Sequence, residues 1–105
     1  MGASSKTQMR VISHKAIREF SEAHPESSTA IDYWYRVTRK AFWVSFADIK
    51  LTFNTADYVP PFVVFDIGGN KFRLVVKMPY RRGQVLIRHV LTHREYDEKT
   101  KDGTL

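Results

Sequence analysis

The sequence predicts an α+β fold in which helices pack on one face of a small antiparallel sheet. Apolar residues recur at helical spacing through the first half of the chain, up to about Phe53. After Pro60 and Pro61 the pattern changes to short aromatic and β-branched runs separated by glycine-containing turns, which is typical of hairpins. The chain has 105 residues, of which 43% are hydrophobic, so it is long enough for one compact domain.

The first half predicts a short strand at Met9–Ile12 and then two or three helices. Pro25 ends the first helix because proline cannot donate the backbone hydrogen bond that would continue it. The predicted apolar stripes are Ala16, Ile17, Phe20 and Ala23 in the first helix and Ile31, Trp34, Val37 and Ala41 in the second. The predicted capping residues are Ser13, then Ser27 or Ser28, and finally Ser45 with Asp48, which starts a short third helix at residues 46–53.

The second half predicts three antiparallel strands and a last short helix. The turn at Gly68–Asn70 joins the first two strands, since glycine adopts the positive φ angles that tight hairpins need. Tyr80–Gly83 forms the second turn, and Thr92 caps the last helix. The three predicted strands are Phe62–Ile67, Lys71–Met78 and Gln84–Leu91.

The positive charge is concentrated in one segment. The formal net charge is +6, from 17 basic and 11 acidic residues, and the stretch from Lys71 to Arg94 contains no acidic residue. Strand alternation places Lys71, Arg73 and Lys77 on the sheet face away from the helices. We interpret this as a basic outer face that is free to meet a polyanion such as nucleic acid. A basic face that only keeps the protein in solution would leave the same pattern.

One domain is expected at residues 9–99. Met1–Gln8 is small, polar and aperiodic, which indicates a flexible leader or an expression remnant, and residues 100–105 are expected to form a frayed tail. The chain lacks an apolar run long enough for a bilayer, the apolar region of a secretory signal, and cysteine. We therefore expect a cytoplasmic protein that does not enter a membrane.

Four residues in the last third carry groups that together can cleave RNA without a metal ion: Arg73, Arg88, His93 and Tyr96. Histidine titrates near neutral pH, and tyrosine exchanges a proton more easily when cations lower its pKa. Arginine holds a phosphate through parallel hydrogen bonds and stabilises charge that grows in a transition state. His93 and Tyr96 are therefore the candidate proton-transfer pair, and Arg73 and Arg88 are the candidates for stabilising a phosphorane.

These residues also have ordinary structural interpretations. His93 can be a surface histidine at a helix start, Tyr96 can cover the edge of the core, and Arg73 can belong to a simple salt bridge. His14 and His24 lie on or beside the first helix and are interpreted as surface residues. The histidines and carboxylates lack the spacing of a metal site, and we find no cofactor motif.

Three blocks occur in order along the chain. They are Ser-Phe-Ala-Asp-Ile-Lys at 45–50, Val-Phe-Asp-Ile-Gly-Gly-Asn-Lys-Phe-Arg-Leu at 64–74, and Thr-His-Arg-Glu-Tyr-Asp at 92–97. Together they resemble the signature blocks of HigB-type toxins, which belong to the RelE superfamily of toxin–antitoxin proteins. The likeness covers roughly Met9 to Lys99, and the order and spacing of the blocks make it specific.

The resemblance implies a RelE-type ribonuclease fold, metal-independent cleavage of mRNA on translating ribosomes, and a cognate antitoxin as partner. Arg73 falls on the arginine with which such toxins hold the scissile phosphate. His93 and Tyr96 fall on the polar residues at the last strand and helix. The sequence departs from the family in two ways: Phe62–Phe65 lacks the lysines that some relatives carry on that strand, which leaves the general base open, and Asp66 replaces a common asparagine.

The other residues predicted to contact RNA are Asn70, Lys71, Lys77, Arg81, Arg82 and Arg94. The basic segment fits an mRNA endonuclease and equally a non-catalytic RNA- or ribosome-binding module. Only the combination of Arg73, His93 and Tyr96 separates the two. A degenerate toxin that binds its antitoxin but no longer cuts is a third hypothesis. A sequence-reading DNA-binding protein is disfavoured, because we find no helix-turn-helix with a basic second helix.

Overall fold

A computed structural model describes residues 8–105 and has the α+β fold that the sequence predicts. The predicted leader at Met1–Gln8 lies outside the described residues, apart from Gln8. In chain order the elements are β1 (Arg10–Ile12), α1 (His14–Ala23), α2 (Ser28–Lys40), α3 (Phe46–Thr52), β2 (Asp57–Val59), β3 (Phe62–Ile67), β4 (Phe72–Lys77), β5 (Gln84–Thr92) and α4 (His93–Asp102). Two 3₁₀ turns lie at Pro25–Ser27 and Tyr80–Arg82.

The helices begin close to the predicted positions, but the serine caps are wrong. Ser13, Ser27 and Ser45 each precede a helix, and none of them makes a capping side-chain hydrogen bond. Ser27 instead donates its hydroxyl to the carbonyl oxygen of His24 at 2.7 Å. A serine hydroxyl donates as readily as it accepts, so the residue type alone does not decide which bond forms.

The buried stripes of α1 and α2 are narrower than predicted. Ile17 is the buried residue of α1, and the buried residues of α2 are Ile31, Trp34 and Thr38. Thr38 thus takes the inward position that the sequence analysis assigned to Val37, which is only half-buried. Among residues 8–105, no helix is both long enough and apolar enough to cross a membrane.

The sheet is mixed, with strand order β1-β5-β4-β3-β2. Its central strands are antiparallel as predicted, but β1 pairs in parallel with β5, with Arg10 opposite Gln84. The edge strand β2 was not predicted, because three residues are too few to show an alternating pattern. The predicted antiparallel sheet is therefore corrected at the β1 edge, where the pairing is parallel, and it has one additional antiparallel strand at the β2 edge.

A β-bulge in β5 explains why that strand has no clean alternation. Val75 pairs with His89 and Val76 pairs with Ile87, so Arg88 is an extra residue without a partner on β4. Because of this extra residue, the alternation along β5 shifts by one position: odd-numbered residues face the α1–α3 side before the bulge, and even-numbered residues face it after the bulge. The residues of β5 that pack toward the helices are Val85 and Ile87 before the bulge and Val90 after it.

The main core lies between the helices and the sheet and is centred on aromatic side chains. Phe65 is 1% exposed, and its ring centroid lies 5.3 Å from that of Trp34, 6.1 Å from that of Trp43 and 5.5 Å from that of Phe53. These contacts join α2, the loop before α3 and the end of α3 to β3. α2 and α3 are thereby held on one face, as predicted.

The opposite face of the sheet is not free, in contrast to the prediction. A second apolar cluster covers part of it, consisting of Phe62, Val64, Val75 and Leu91 with Val59, Tyr96 and Leu105 packed against them. Tyr96 belongs to α4, which therefore lies over this face. α4 continues through Asp102, so residues 100–102, predicted as part of a frayed tail, are helical.

We expect Phe65→Ala to lower the free energy of unfolding by about 3–5 kcal/mol, because it removes the ring at the centre of the aromatic core. Urea denaturation followed by tryptophan fluorescence measures this change. Leu51→Ala is the control, since Leu51 is 87% exposed and its loss should change stability by about 0.5 kcal/mol or less. Equal losses for the two variants would contradict the described core.

Candidate functional site

The start of α4 is fixed against the hairpin between β3 and β4. Thr92 and Glu95 form a capping box: the Glu95 amide donates to Thr92 Oγ1 at 3.1 Å, and the Thr92 amide donates to Glu95 Oε1 at 2.9 Å. The predicted Thr92 cap is confirmed. The amide of His93 donates to the carbonyl oxygen of Lys71 at 2.9 Å. These bonds satisfy free amides of the first turn and place it beside the start of β4.

Arg73 lies on the predicted sheet face, but its side chain is only 10% exposed because α4 covers that face. The strand register puts Asp66 directly opposite, and Arg73 Nε lies 3.2 Å from Asp66 Oδ1. Arg73 Nη2 donates to Asn70 Oδ1 at 2.6 Å, and Nη1 donates to the carbonyl oxygen of Phe72 at 3.1 Å. The guanidinium is thus held in one orientation by three acceptors.

The ring of Tyr96 lies over this guanidinium, with Arg73 Cζ 5.8 Å from the ring centroid. Burial raises the pKa of the Tyr96 phenol and the carboxylate of Asp57 raises it further, whereas Arg73 lowers it. The sequence analysis allowed for cations lowering this pKa, but burial and the neighbouring carboxylates outweigh the one arginine. Tyr96 therefore keeps its proton at neutral pH and is suited to donate it.

His93 is oriented by a carboxylate one helical turn away. Its Nδ1 lies 3.1 Å from Asp97 Oδ2, and the two side chains are 39% and 62% exposed. A carboxylate at Nδ1 favours the tautomer that carries its proton there, which leaves Nε2 to exchange a proton with another molecule. His93 is thus accessible to solvent and held by its partner.

Six side chains therefore form what we call the reactive cluster: Asp66, Asn70, Arg73, His93, Tyr96 and Asp97. The sequence analysis did not predict that Asp66 pairs with Arg73 or that Asp97 pairs with His93. Both pairs could have been predicted. Asp97 is four residues after His93 on a helix, and counting outward from the Gly68–Asn70 turn places Asp66 opposite Arg73.

Four predicted residues lie away from the reactive cluster. Lys77 and Arg88 both lie near the ring of Phe62, each 5.9 Å from its centroid. Along β4, Lys77 is four residues from Arg73, a distance of roughly 13 Å. Arg81 and Arg82 lie beyond Lys77, in the 3₁₀ turn before β5. The predicted basic face is therefore spread along the sheet and does not converge on one point.

The surroundings of the reactive cluster are not strongly positive. Lys71 is exposed in the hairpin turn, and Arg94 is 90% exposed with its Nε 3.7 Å from Glu98, an ion pair that water screens. Two carboxylates, Asp66 and Asp97, face Arg73 and His93 of the cluster. Within the part of the chain that the structure describes, no three histidine or acidic side chains are grouped so that they could hold a metal ion.

His89 is a buried polar group that the sequence analysis did not assign to the site. It lies opposite Val75, which is two residues from Arg73 along β4 and on the same face, and its Nε2 is buried with no hydrogen-bond partner among the described residues. Burial lowers the pKa of His89, and the positive charges of Lys99 and Arg88 lower it further. The imidazole is therefore neutral at neutral pH.

A family model described as "HigB_toxin, RelE-like toxic component of a toxin-antitoxin system" matches residues 27–99, which is more than half of the chain. The chain belongs to the HigB toxin family. The resemblance drawn from the three sequence blocks is thereby confirmed. The matched residues of this HigB-family chain run from the 3₁₀ turn before α2 into α4 and include every member of the reactive cluster.

Curated relatives cover nearly the whole chain. The mRNA interferase toxin HigB of Escherichia coli strain K12 is 29% identical over 92 residues, which are 85% of this chain and 88% of the relative. The mRNA interferase HigB of Shigella flexneri gives the same values. The mRNA interferase HigB of Escherichia coli O6:H1 strain CFT073 is 25% identical over 96 residues, 89% of this chain and 93% of the relative.

We expect Asp66→Ala to lower the free energy of unfolding of the HigB-family chain by about 1–3 kcal/mol, because it removes the carboxylate that pairs with the buried Arg73 guanidinium. Asp66→Asn should cost less, since its amide oxygen keeps a partial negative charge that faces the guanidinium. Urea denaturation measures both. Asp32→Ala is the matched control, because it breaks an Asp–Arg pair at 3.0 Å that is exposed on both sides, 64% at Asp32 and 63% at Arg36. Its expected cost is below about 1 kcal/mol, and an equal cost for Asp66→Ala would contradict the burial argument.

We expect His89 to make the folded state less stable in mild acid. Its pKa is lower in the folded protein than in the unfolded chain, so the unfolded chain takes up the proton first as pH falls. Stability is full above the unfolded value of about 6.5 and declines as pH falls from there toward the folded pKa. Urea unfolding between pH 7.5 and 5.5 measures this decline, and His89→Leu should flatten it. His14→Leu is the control, and an unchanged pH profile in His89→Leu would refute the assignment.

Proposed function

We propose that this chain is the toxin component of a toxin–antitoxin system and acts in the cytoplasm as an endoribonuclease that cleaves mRNA. The observation that carries the proposal is the reactive cluster, in which the buried Arg73 guanidinium lies under the ring of Tyr96 and His93 lies on the same helical turn as Tyr96. The names of the curated relatives support mRNA as the substrate. Family membership supports an antitoxin as the protein partner.

RNA carries its own nucleophile, the ribose 2′-hydroxyl next to the scissile phosphate. An enzyme has to remove the 2′ proton, stabilise the pentacoordinate phosphorus, and protonate the leaving 5′ oxygen. Each proton transfer contributes about 10²–10⁴ in rate. The side chains that the reactive cluster brings together are of the right types for all three tasks.

Arg73 is suited to the phosphate. Two of its guanidinium N–H groups donate to Phe72 and Asn70, and its Nε faces Asp66, so one N–H on each terminal nitrogen remains for a phosphate oxygen pair. These three protein contacts fix the orientation in advance, so little conformational entropy is lost when the phosphate binds.

His93 and Tyr96 differ in the direction in which each best transfers a proton. The Tyr96 phenol carries its proton at neutral pH, so we assign it the role of the acid that protonates the 5′ oxygen. His93, with Asp97 at Nδ1, is suited to accept the 2′ proton at Nε2. In this assignment the histidine fills the role of general base that the absence of lysines on β3 left open.

We assign the basic residues outside the reactive cluster to phosphates of the message on either side of the cleavage point. Arg88 lies at the β5 bulge near Lys77, too far from the reactive cluster to share its phosphate, so we assign both to neighbouring phosphates along the strand. Asn70, a member of the cluster, and its neighbour Lys71 lie in the hairpin turn, and Arg94 lies on the first turn of α4. We place the cleavage on translating ribosomes, where single-stranded message is presented.

The test is a translation assay in which the ends of the cleaved message are mapped. We expect wild-type protein to cut mRNA, Arg73→Ala to reduce the rate by about 10²–10³-fold through loss of transition-state stabilisation, and His93→Ala to reduce it by about 10²–10⁴-fold through loss of proton transfer. Arg36→Ala is the control, because it removes an exposed arginine that is also paired with an aspartate.

Full-length message after incubation with folded wild-type protein would refute cleavage. It would favour the non-catalytic binding module if the protein still bound ribosomes, and the degenerate toxin if it bound only its antitoxin. Cleavage that survives in both Arg73→Ala and His93→Ala would show that the chemistry lies elsewhere.

A further inference from the structure

The edge of the sheet is uncovered at the end of β3. β2 pairs with β3 only as far as Val64, which lies opposite Asp57, so within the part of the chain that the structure describes no strand lies beside residues 65–67 on that edge. A cavity of about 500 Å³ opens there, between the end of β3, the first half of α2 and Phe53. Asp66 is one of its lining residues, so the cavity adjoins the reactive cluster.

Aromatic rings form much of the cavity wall. Tyr33, Trp34 and Phe53 all line it. The ring of Tyr33 is 57% exposed and stands at 90° to that of Phe53, with 6.4 Å between the centroids. Aromatic side chains at such positions are the surfaces on which the unpaired bases of single-stranded RNA stack.

Trp34 brings an unused hydrogen-bond donor to this wall. Its side chain is 1% exposed, and its indole Nε1 is buried with no hydrogen-bond partner among the described residues. The indole of Trp43, in contrast, donates to Thr52 Oγ1 at 3.3 Å. A buried N–H without an acceptor is destabilising, so a ligand that supplies an acceptor to Trp34 gains binding free energy from this bond.

Carboxylates supply acceptors in the same cavity. Asp66 and Glu26 both line it. Asp66 Oδ1 lies 3.2 Å from Arg73 Nε, but a carboxylate has about four lone-pair sites, so Asp66 can accept further bonds. The lining also includes Arg36, whose Nε donates to Asp32 Oδ2 at 3.0 Å. The cavity thus offers a stacking surface, a free donor and acceptors, which are the groups that a nucleobase requires.

We propose that this cavity binds the base of a nucleotide next to the scissile phosphate. The base stacks on Tyr33, accepts a hydrogen bond from Trp34 Nε1 and donates one to Asp66. The inference rests on the proposed function, which places an RNA phosphate at Arg73. Because Asp66 both contacts Arg73 and lines the cavity, the phosphate and the base are close enough to belong to one nucleotide or to two neighbours. The cavity then contributes to the base preference of cleavage.

The test uses the two tryptophans of the chain as probes. The two indole N–H signals are followed by ¹H–¹⁵N NMR, and Trp43→Phe assigns them. The protein is titrated to saturation with AMP, GMP, CMP and UMP, and with ribose 5-phosphate as the ligand that lacks a base. We expect the Trp34 signal to move with at least one nucleotide and not with ribose 5-phosphate, and the Trp43 signal to stay in place.

Tyr33→Ala tests the stacking surface. It should weaken nucleotide binding on the order of 10-fold, since it removes the ring under the base. Tyr58→Ala is the matched control, because Tyr58 is 56% exposed and does not line the cavity. In the translation assay, Tyr33→Ala should also change which bases flank the mapped cleavage points, whereas Tyr58→Ala should keep the wild-type pattern.

A Trp34 signal that stays in place with every nucleotide, or that moves equally with ribose 5-phosphate, would overturn the proposal. Equal nucleotide binding by Tyr33→Ala and Tyr58→Ala would also overturn it. If the Trp34 signal moves only with purified antitoxin, the occupant is a protein and the proposal is wrong. Nucleotide binding at Trp34 combined with intact message would refute the proposed nuclease activity and leave the base site supported, whereas cleavage without such binding would refute the base site alone.

Discussion

The burial of one guanidinium constrains the whole site. A cation that is nine-tenths removed from water is tolerated only where its charge is paired, and Arg73 meets this condition with the carboxylate of Asp66, while Asn70 and the carbonyl of Phe72 accept two of its hydrogen bonds. The register of β3 with β4 supplies the carboxylate, and the hairpin turn supplies the amide. α4 then covers the guanidinium with Tyr96, so a shift of the hairpin or of the helix would break these contacts or expose the cation. The same contacts that stabilise the charge also hold it in one orientation.

Much of this architecture is predictable from the sequence because local patterns encode it. Helical spacing, Pro25 and the Gly68–Asn70 turn set the element order within a few residues, and Thr92 with Glu95 is a local signal for the start of α4. Three short blocks were enough to identify the family, and the family match spans them. His93 and Tyr96 were placed near each other correctly, since both lie on the first turn of a single helix.

What could not be predicted depends on contacts between distant segments. The alternation of residues along β4 predicts the sheet face on which Arg73 lies. It does not predict that the side chain is buried, because the burial comes from α4, a separate element. The bulge at Arg88 could not be predicted from the sequence of β5 alone, because a residue is extra only in relation to the pairing with β4. Charge counting along the chain also missed the grouping of Arg10 with Arg39 and Lys40 around one cavity, since these residues belong to a part of the sequence that is electrically balanced as a whole.

The parallel pairing of β1 with β5 has a consequence for the order of folding. Arg10 finds its partner Gln84 only after most of the chain has been synthesised, so this contact has a very long loop to close, whereas the β3–β4 hairpin can form from neighbouring residues. β1 therefore leaves the ribosome before its partner β5 has been synthesised. The first turn of α4 follows β5 directly in the sequence. We therefore expect the helices and the central hairpin of a nascent chain to form early and the complete sheet to form late. The reactive cluster, which needs both the hairpin and α4, is then assembled only near the end of synthesis.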